Sequence, residues 1–240
     1  MHQATQLQPG YILHQRAYRD TSLLLEVFTR EHGRLGLVAR GARAPRSRIR
    51  GLLQPFQPLL LSWSGKGDLG TLAGVETAGE PGGATPRLSG ATLYSGFYLN
   101  ELLIRLLQRH DPHPELFVAY DAALRGLCDA PQRPLRIFEK HLLETLGYGL
   151  LLDHEADSGE PVNADAEYRY ALEAGPQRCT AVVAQGLKLS GRSLLSLAAE
   201  DLSDAQSLAD SKRLLRAALD LYLGDRGLKT REVFAAIRAR

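Results

Sequence analysis

The chain has 240 residues, 44% of them hydrophobic and 23% charged, with 29 Lys and Arg against 27 Asp and Glu. That composition is ordinary for a globular protein long enough to bury a core. No apolar run reaches the ~18–20 residues that cross a bilayer, and the polar start lacks a basic-then-apolar leader, so no membrane partner and a cytoplasmic location are expected. Two cysteines, Cys128 and Cys179, with no Cys-x-x-Cys pair, exclude a disulfide framework, and Cys128 reads as a small core residue.

From Tyr11 to about Gly79 the pattern predicts five short strands. They are Tyr11–His14, Leu23–Thr29, Arg34–Ala39, Pro58–Ser64 and Leu69–Val75, separated by the turns Asp20-Thr21-Ser22, Glu31-His32-Gly33 and Gly65-Lys66-Gly67-Asp68. Strands at this spacing suggest a small barrel, most economically an OB-fold. Their apolar runs alternate poorly, which suggests a barrel covered by other elements. Residues 80–88, rich in Gly and Pro, form the expected boundary between a domain over 1–80 and a helical domain over 81–240. Helical periodicity follows in Ser89–Arg109, where Glu101, Arg105, Gln108 and Arg109 form a polar stripe on an otherwise apolar helix. A second helix places Leu116, Phe117, Tyr120, Leu124, Leu127 and Cys128 on one face. A third, with Leu135, Phe138, Leu142 and Leu146 inward, ends at Gly147-Tyr148-Gly149. Residues 150–187 are loop-rich, and Tyr168–Leu172 is expected to pair with Thr180–Val183. A capping box, Ser203-x-x-Gln206, is expected to open a long helix ending at Gly224. Thr230 is expected to cap a last one with Val233, Phe234 and Ile237 inward.

The charge is unevenly placed. Between His32 and Gly67 stand seven basic residues (Arg34, Arg40, Arg43, Arg46, Arg48, Arg50 and Lys66) and no acid, leaving 22 basic against 27 acidic residues elsewhere. Guanidinium groups keep their charge and fork onto phosphate oxygens. A carboxylate-free arginine loop between two barrel strands therefore points to a nucleic-acid backbone, the alternative being a solvated basic loop. Tyr11, Tyr18, Phe28, Phe56 and Trp63 are the nearby rings on which bases could stack, Phe28 being the one most suited to the core. No Gly-x-x-x-x-Gly-Lys-Ser/Thr, His-Glu-x-x-His or Gly-x-Ser-x-Gly occurs, and the basic window lacks the paired acids of a nuclease. No catalytic residue is assigned, and the chain is expected not to be an enzyme.

Several stretches together resemble the RecO family of bacterial DNA-repair and recombination-mediator proteins. They include Asp20–Leu25, Val38-Ala39-Arg40-Gly41-Ala42-Arg43, Leu53–Leu59, Tyr94–Leu103, Phe138-Glu139 with Leu146–Gly149, Gly159–Val162 and Leu228–Glu232. They are collinear over about residues 8–238. The resemblance implies an α+β multidomain protein: an N-terminal five-stranded OB-fold barrel, then an all-helical C-terminal domain with a loop-rich, zinc-finger-like insertion at about 150–187. It further implies binding of single- and double-stranded DNA, annealing of complementary strands without ATP, and action in the RecF pathway at the nucleoid. Its implied partners are RecR, the C-terminal tail of single-stranded-DNA-binding protein (SSB) and, indirectly, RecA. An acidic, apolar SSB tail calls for an apolar pocket rimmed by basic residues, for which Arg105, Arg109, Lys140, Lys212, Arg213 and Arg216 are candidates. Zinc-bearing members carry two Cys-x-x-Cys pairs. Here His154-x-x-Asp157 replaces the first and only Cys179 stands near the second, so no metal or other cofactor is expected, and the insertion is expected to be held by packing and hydrogen bonds. Two rivals stay open: an RNA-binding OB-fold protein of translation or RNA turnover, and an enzyme using Asp153, His154, Glu155 and Asp157.

Overall fold

The computed structural model describes residues 6–65, 67–78, 88–179, 186–224 and 227–238. Five strands, β1 (Gln8–Tyr18), β2 (Ser22–Thr29), β3 (Gly33–Ala39), β4 (Leu59–Ser64) and β5 (Leu69–Thr77), close a barrel in the order β1-β2-β3-β5-β4. Every pairing is antiparallel except β3 with β5, where Gly36–Val38 run parallel to Leu69–Thr71. That is the OB-like barrel the turns foretold. β1 runs four residues past the expected His14, because the polar stretch Gln15–Tyr18 still pairs with β2 through Gln15↔Leu25 to Tyr18↔Ser22.

The chain divides into two compact units, Met1–Cys128 with Leu228–Arg240, and Asp129–Gly227. This partition by packing differs from the strand-to-helix change in composition near residue 80; residues 79–87 lie outside the described set. In the first unit Ile12, Leu25, Val27, Leu35, Leu37, Leu59, Leu61 and Trp63 fill the barrel. Helices α1 (Gly90–Leu106) and α2 (Pro114–Gly126) belong to the same unit. The outward rings of Tyr11 and Phe28, cross-strand partners, pack on Phe117 and Tyr120 of α2, with centroids 5.1 to 6.2 Å apart. Both faces of β1 and β2 are therefore buried here, which removes the alternation a one-sided sheet would show. Asn100 of α1, buried, donates to the Leu13 carbonyl (2.8 Å) and accepts from the Tyr120 hydroxyl. Asp121 accepts from the Tyr11 hydroxyl and from Arg125 Nε (2.9 Å). Burial pushes the Asp121 carboxyl up, but the bonds from Arg125 and Tyr11 outweigh it and hold the group below its usual value.

α1 is shorter than the expected Ser89–Arg109. It stops at Leu106, and Arg109 lies in an extended segment bridged to Arg34 of β3. Gly33 is required at that junction: its φ is 64°, and a Cβ there would overlap the Asp111 carbonyl. Cys128, expected in the core, is exposed beyond the end of α2. The last helix, α6 (Lys229–Arg238), belongs to the first unit. Its first amides are held by the Glu101 carboxylate, which accepts from Lys229 N and Thr230 N at 2.9 Å each, an N-cap supplied by another helix. Phe234 packs on Tyr94, but Val233 and Ile237, expected inward, are 48% and 45% exposed.

The second unit holds α3 (Gln132–Thr145), the strands β6 (Glu167–Ala171), β7 (Gly175–Arg178) and β8 (Leu187–Ser190), then α4 (Gly191–Ala198) and α5 (Ala205–Leu223). The three strands form one antiparallel sheet in the order β7-β6-β8. Residues 180–185 lie outside the described set, so β7 and β8 are the described partners of β6 in place of Thr180–Val183. α5 is capped by Asp204, which accepts from Ser207 N (2.8 Å), one residue later than the expected Ser203.

Candidate nucleic-acid interface

The arginine loop joins β3 to β4 and is ordered by successive turns: Ala44 N donates to Gly41 O (3.0 Å), Ser47 N to Ala44 O (3.0 Å) and Leu52 N to Ile49 O (3.0 Å). Its small and apolar residues face in. Ala42 and Leu53 join the barrel core, and Ile49 packs against it. Arg40, Arg43, Arg46, Arg48 and Arg50 all face out. Their exposure follows from the interleaving of the loop, in which Ala42, Ala44, Ser47 and Ile49 take the inner positions. Among the described residues none of these five arginines is in an ion pair. Arg43 ties the loop to the β1–β2 turn, its amide donating to Thr21 O (2.7 Å) and its Nη1 to Arg19 O (3.3 Å).

Arg34 is placed differently. Its side chain is 14% exposed, and Nη1 donates to Glu26 Oε2 (3.0 Å). Its Nε and Nη2 both donate to the Leu107 carbonyl, at 3.2 and 2.9 Å, satisfying an acceptor just past the end of α1. Arg109 shares the Glu26 carboxylate and reaches Asp68 O in the β4–β5 turn (3.5 Å). Both cations near Glu26 are thus scaffold. Lys66 lies outside the described residues.

Beside the loop an open cleft of about 550 Å³ is lined by Tyr18, Arg19, Thr21, Ser22, Val38, Arg40, Gly41 and Leu69–Thr71. These are the β1–β2 turn, the exit of β3 and the start of β5, the surface on which OB barrels take oligonucleotides. Of the five rings considered from sequence, Tyr11, Phe28, Phe56 and Trp63 are buried. Only Tyr18 is accessible, with the Arg19 guanidinium 5.3 Å from its ring centre. Counting charge in one window missed Arg16 and Arg19, which are exposed on β1 and its following turn. The legible signal was their position on either side of Tyr18, next to the Asp20-Thr21-Ser22 turn.

The six candidates for a partner surface fall into both units. Arg105 and Arg109 are in the first, and Lys140, Lys212, Arg213 and Arg216 in the second. Lys140 is 13% exposed and bonded to Glu200 (2.7 Å) and Glu144 (3.2 Å). Burial pulls its ammonium pKa down, but these two carboxylates outweigh that and hold it above the ordinary value. Arg213 bonds the buried Asp210 (3.1 Å), and Arg216 stands 3.7 Å from Asp220. Arg105 and Lys212 are exposed.

The residues in place of zinc cysteines do not fit a zinc site. His154 Nδ1 faces Asp153 (3.1 Å), Asp157 accepts from Ser158 N (3.0 Å), and Cys179 is exposed. Among the described residues no three His, Cys, Asp or Glu side chains converge as metal ligands. A structural zinc site needs four.

Barrel topology and an outward arginine loop define the class: OB-barrel proteins with a cationic face. Residues 1–80 match the family model for the Recombination protein O N terminal, and residues 87–232 that for the C terminal. The DNA repair protein RecO of Alkalilimnicola ehrlichii is 52% identical over 230 residues, 95% of this chain and 90% of its own length. That of Nitrosococcus oceani is 50% identical over 97% of this chain and 94% of its own. That of Haemophilus influenzae is 47% identical, with 96% of each covered. The chain belongs to the RecO family of DNA repair proteins.

Proposed function

We propose that the chain is a recombination mediator that binds single- and double-stranded DNA, anneals complementary strands without ATP and, with RecR, helps RecA replace SSB. In this reading residues 1–80 carry DNA and residues 81–240 carry protein partners, at the nucleoid. The observation that carries it is the outward set Arg40, Arg43, Arg46, Arg48 and Arg50, free of ion pairs among the described residues and beside the Tyr18 cleft. Annealing must bring together two strands that repel. Guanidinium groups on phosphates lower that repulsion and leave base edges free to pair, and Tyr18 offers one stacking surface. This is binding work and needs no reacting group. Lys212, Arg213 and Arg216 of α5 are the cations of the second unit that would rim a receptor for the SSB tail, and Arg105 is the candidate of the first.

The test is annealing of SSB-coated complementary strands without ATP, with and without a peptide of the SSB tail. The unaltered chain should anneal, the peptide should inhibit, and a variant with Arg43, Arg46, Arg48 and Arg50 changed to Glu should be inactive yet folded. Full annealing by that variant overturns the reading. Preference for RNA in competition would favour the RNA-binding alternative, and magnesium-dependent cleavage would favour an enzyme.

A further inference from the structure

The insertion of the second unit begins with a backbone knuckle. Val162 N donates to Asp153 O and Glu155 N to Glu160 O, both at 2.8 Å, and Gly159 N closes the tip onto Glu155 O at 3.0 Å. Ala156 N donates to Pro176 O of β7 (2.8 Å). In zinc-bearing members a metal would cross-link this segment. Here the knuckle points a carboxylate into the sheet: Glu155 is 7% exposed and sits between the knuckle, β6 and β7. A buried carboxylate is tolerated when donors compensate its charge, and here both oxygens have them. Oε1 accepts from the Tyr168 hydroxyl of β6 (3.0 Å) and lies 3.3 Å from Arg178 Nε of β7. Oε2 accepts from Ser158 Oγ (2.8 Å). Each hydroxyl passes the connection on: Tyr168, fully buried, accepts from Asn163 N (2.9 Å), and Ser158 Oγ accepts from Glu160 N (3.2 Å).

We infer that Glu155 is the cross-link of the insertion, an anion ringed by donors standing where a cation ringed by acceptors would otherwise be. Four segments meet at it: the knuckle tip, the Asn163 turn, β6 and β7. The polarity is the reverse of a zinc site. Both carboxylate oxygens already accept from protein donors, a divalent ion would have to displace them, and the insertion keeps its fold without one. The inference stands apart from the DNA-binding proposal, because none of these residues belongs to the arginine loop.

The test is hydrogen exchange on the untagged full-length protein, before and after EDTA, with zinc measured in the same preparation. EDTA should leave exchange across 153–178 unchanged. Glu155→Ala removes the hub, and Tyr168→Phe removes one donor while keeping the buried ring. Both should speed exchange of the 155–163 amides, Glu155→Ala by about tenfold or more, while the barrel strands exchange as before. Should Glu155→Ala fail to fold, Tyr168→Phe carries the test. Stoichiometric zinc whose removal by EDTA speeds exchange in this segment would overturn the inference. So would unaltered exchange of the 155–163 amides in Glu155→Ala or, should that variant not fold, in Tyr168→Phe.

Discussion

Changing the arginine loop should alter the salt dependence of DNA binding before it alters anything else. Five side chains, Arg40, Arg43, Arg46, Arg48 and Arg50, are exposed, and their inner neighbours carry the packing of the loop. If each neutralises one phosphate of a single strand, log K falls with log salt at a slope of about 3.5, from ~0.7 per contact. Raising salt fourfold, from about 50 to about 200 mM, then weakens binding about a hundredfold. Arg46→Gln with Arg48→Gln should lower the slope to about 2.1 and that loss to about twentyfold. Surface changes of this kind shift stability by only about 0.5 kcal/mol. Fluorescence anisotropy with a labelled oligonucleotide across a salt series measures the slope, and thermal unfolding provides the control. Arg34→Gln is the internal contrast. It should lower the unfolding temperature through its lost bonds to Glu26 and Leu107 while leaving the slope nearly intact. An unchanged slope in the double variant, or a larger fall in slope for Arg34→Gln, would refute this assignment.

Tyr18→Ala should weaken single-stranded DNA binding by about 1–3 kcal/mol, the worth of one stacked base, and duplex binding much less; a titration of both measures it. Glu26→Gln leaves Arg34 and Arg109 without their shared carboxylate and should cost about 2 kcal/mol, read as a lower unfolding temperature of the barrel unit. Gly33→Ala should destabilise more than a surface substitution of the same size, since both the positive φ and the Asp111 carbonyl oppose a Cβ; denaturant unfolding tests it. The pKa of Asp121 is lower folded than unfolded, so its contribution is present above its unfolded value and lost as pH falls through the folded one. Asp121→Asn should therefore lose most stability near neutral pH, and the gap to the unaltered protein should narrow below about pH 4 in unfolding-temperature measurements.

The barrel was legible because its turns announce themselves: Asp20-Thr21-Ser22, Glu31-His32-Gly33 and the glycines around Lys66 separate apolar runs of strand length. What one window of sequence could not convey is which partner each run meets. Gln15–Tyr18 looks too polar for a strand, yet it is one, because one edge of β1 pairs with β2 while its side chains remain wet. Val233 and Ile237 follow helical spacing, yet α6 meets α1 through Phe234, through Arg231 against Tyr98 and through the Glu101 cap, which no local pattern encodes. The cap of α5 illustrates the smallest error. Ser203 and Asp204 are both good N-caps, and only the hydrogen bond to Ser207 N separates them. Glu155 was noted in sequence as one of several clustered acids. Its role comes from Tyr168 and Arg178, 13 and 23 residues away.

The same limit applies to charge, where it matters most for function. Seven basic residues in a carboxylate-free window look equivalent on paper, and identity near 50% to other RecO proteins does not sort them. Geometry does. The acid that neutralises part of the window comes from outside it: Glu26 of β2 lies across the strand pair from β3 and takes up Arg34 together with Arg109. A guanidinium already bonded to a carboxylate and to the Leu107 carbonyl would have to leave both before it could bind phosphate. One whose neighbours are water exchanges solvent and counterions for phosphate, and counterion release favours that exchange. The division between Arg34 and the five loop arginines is therefore one between cations that hold the barrel to its helices and cations left exposed, which the proposed function assigns to a polyanion. The absence of acids inside the loop, where Ala42, Ala44, Ser47 and Ile49 occupy the inner positions, keeps the second group available.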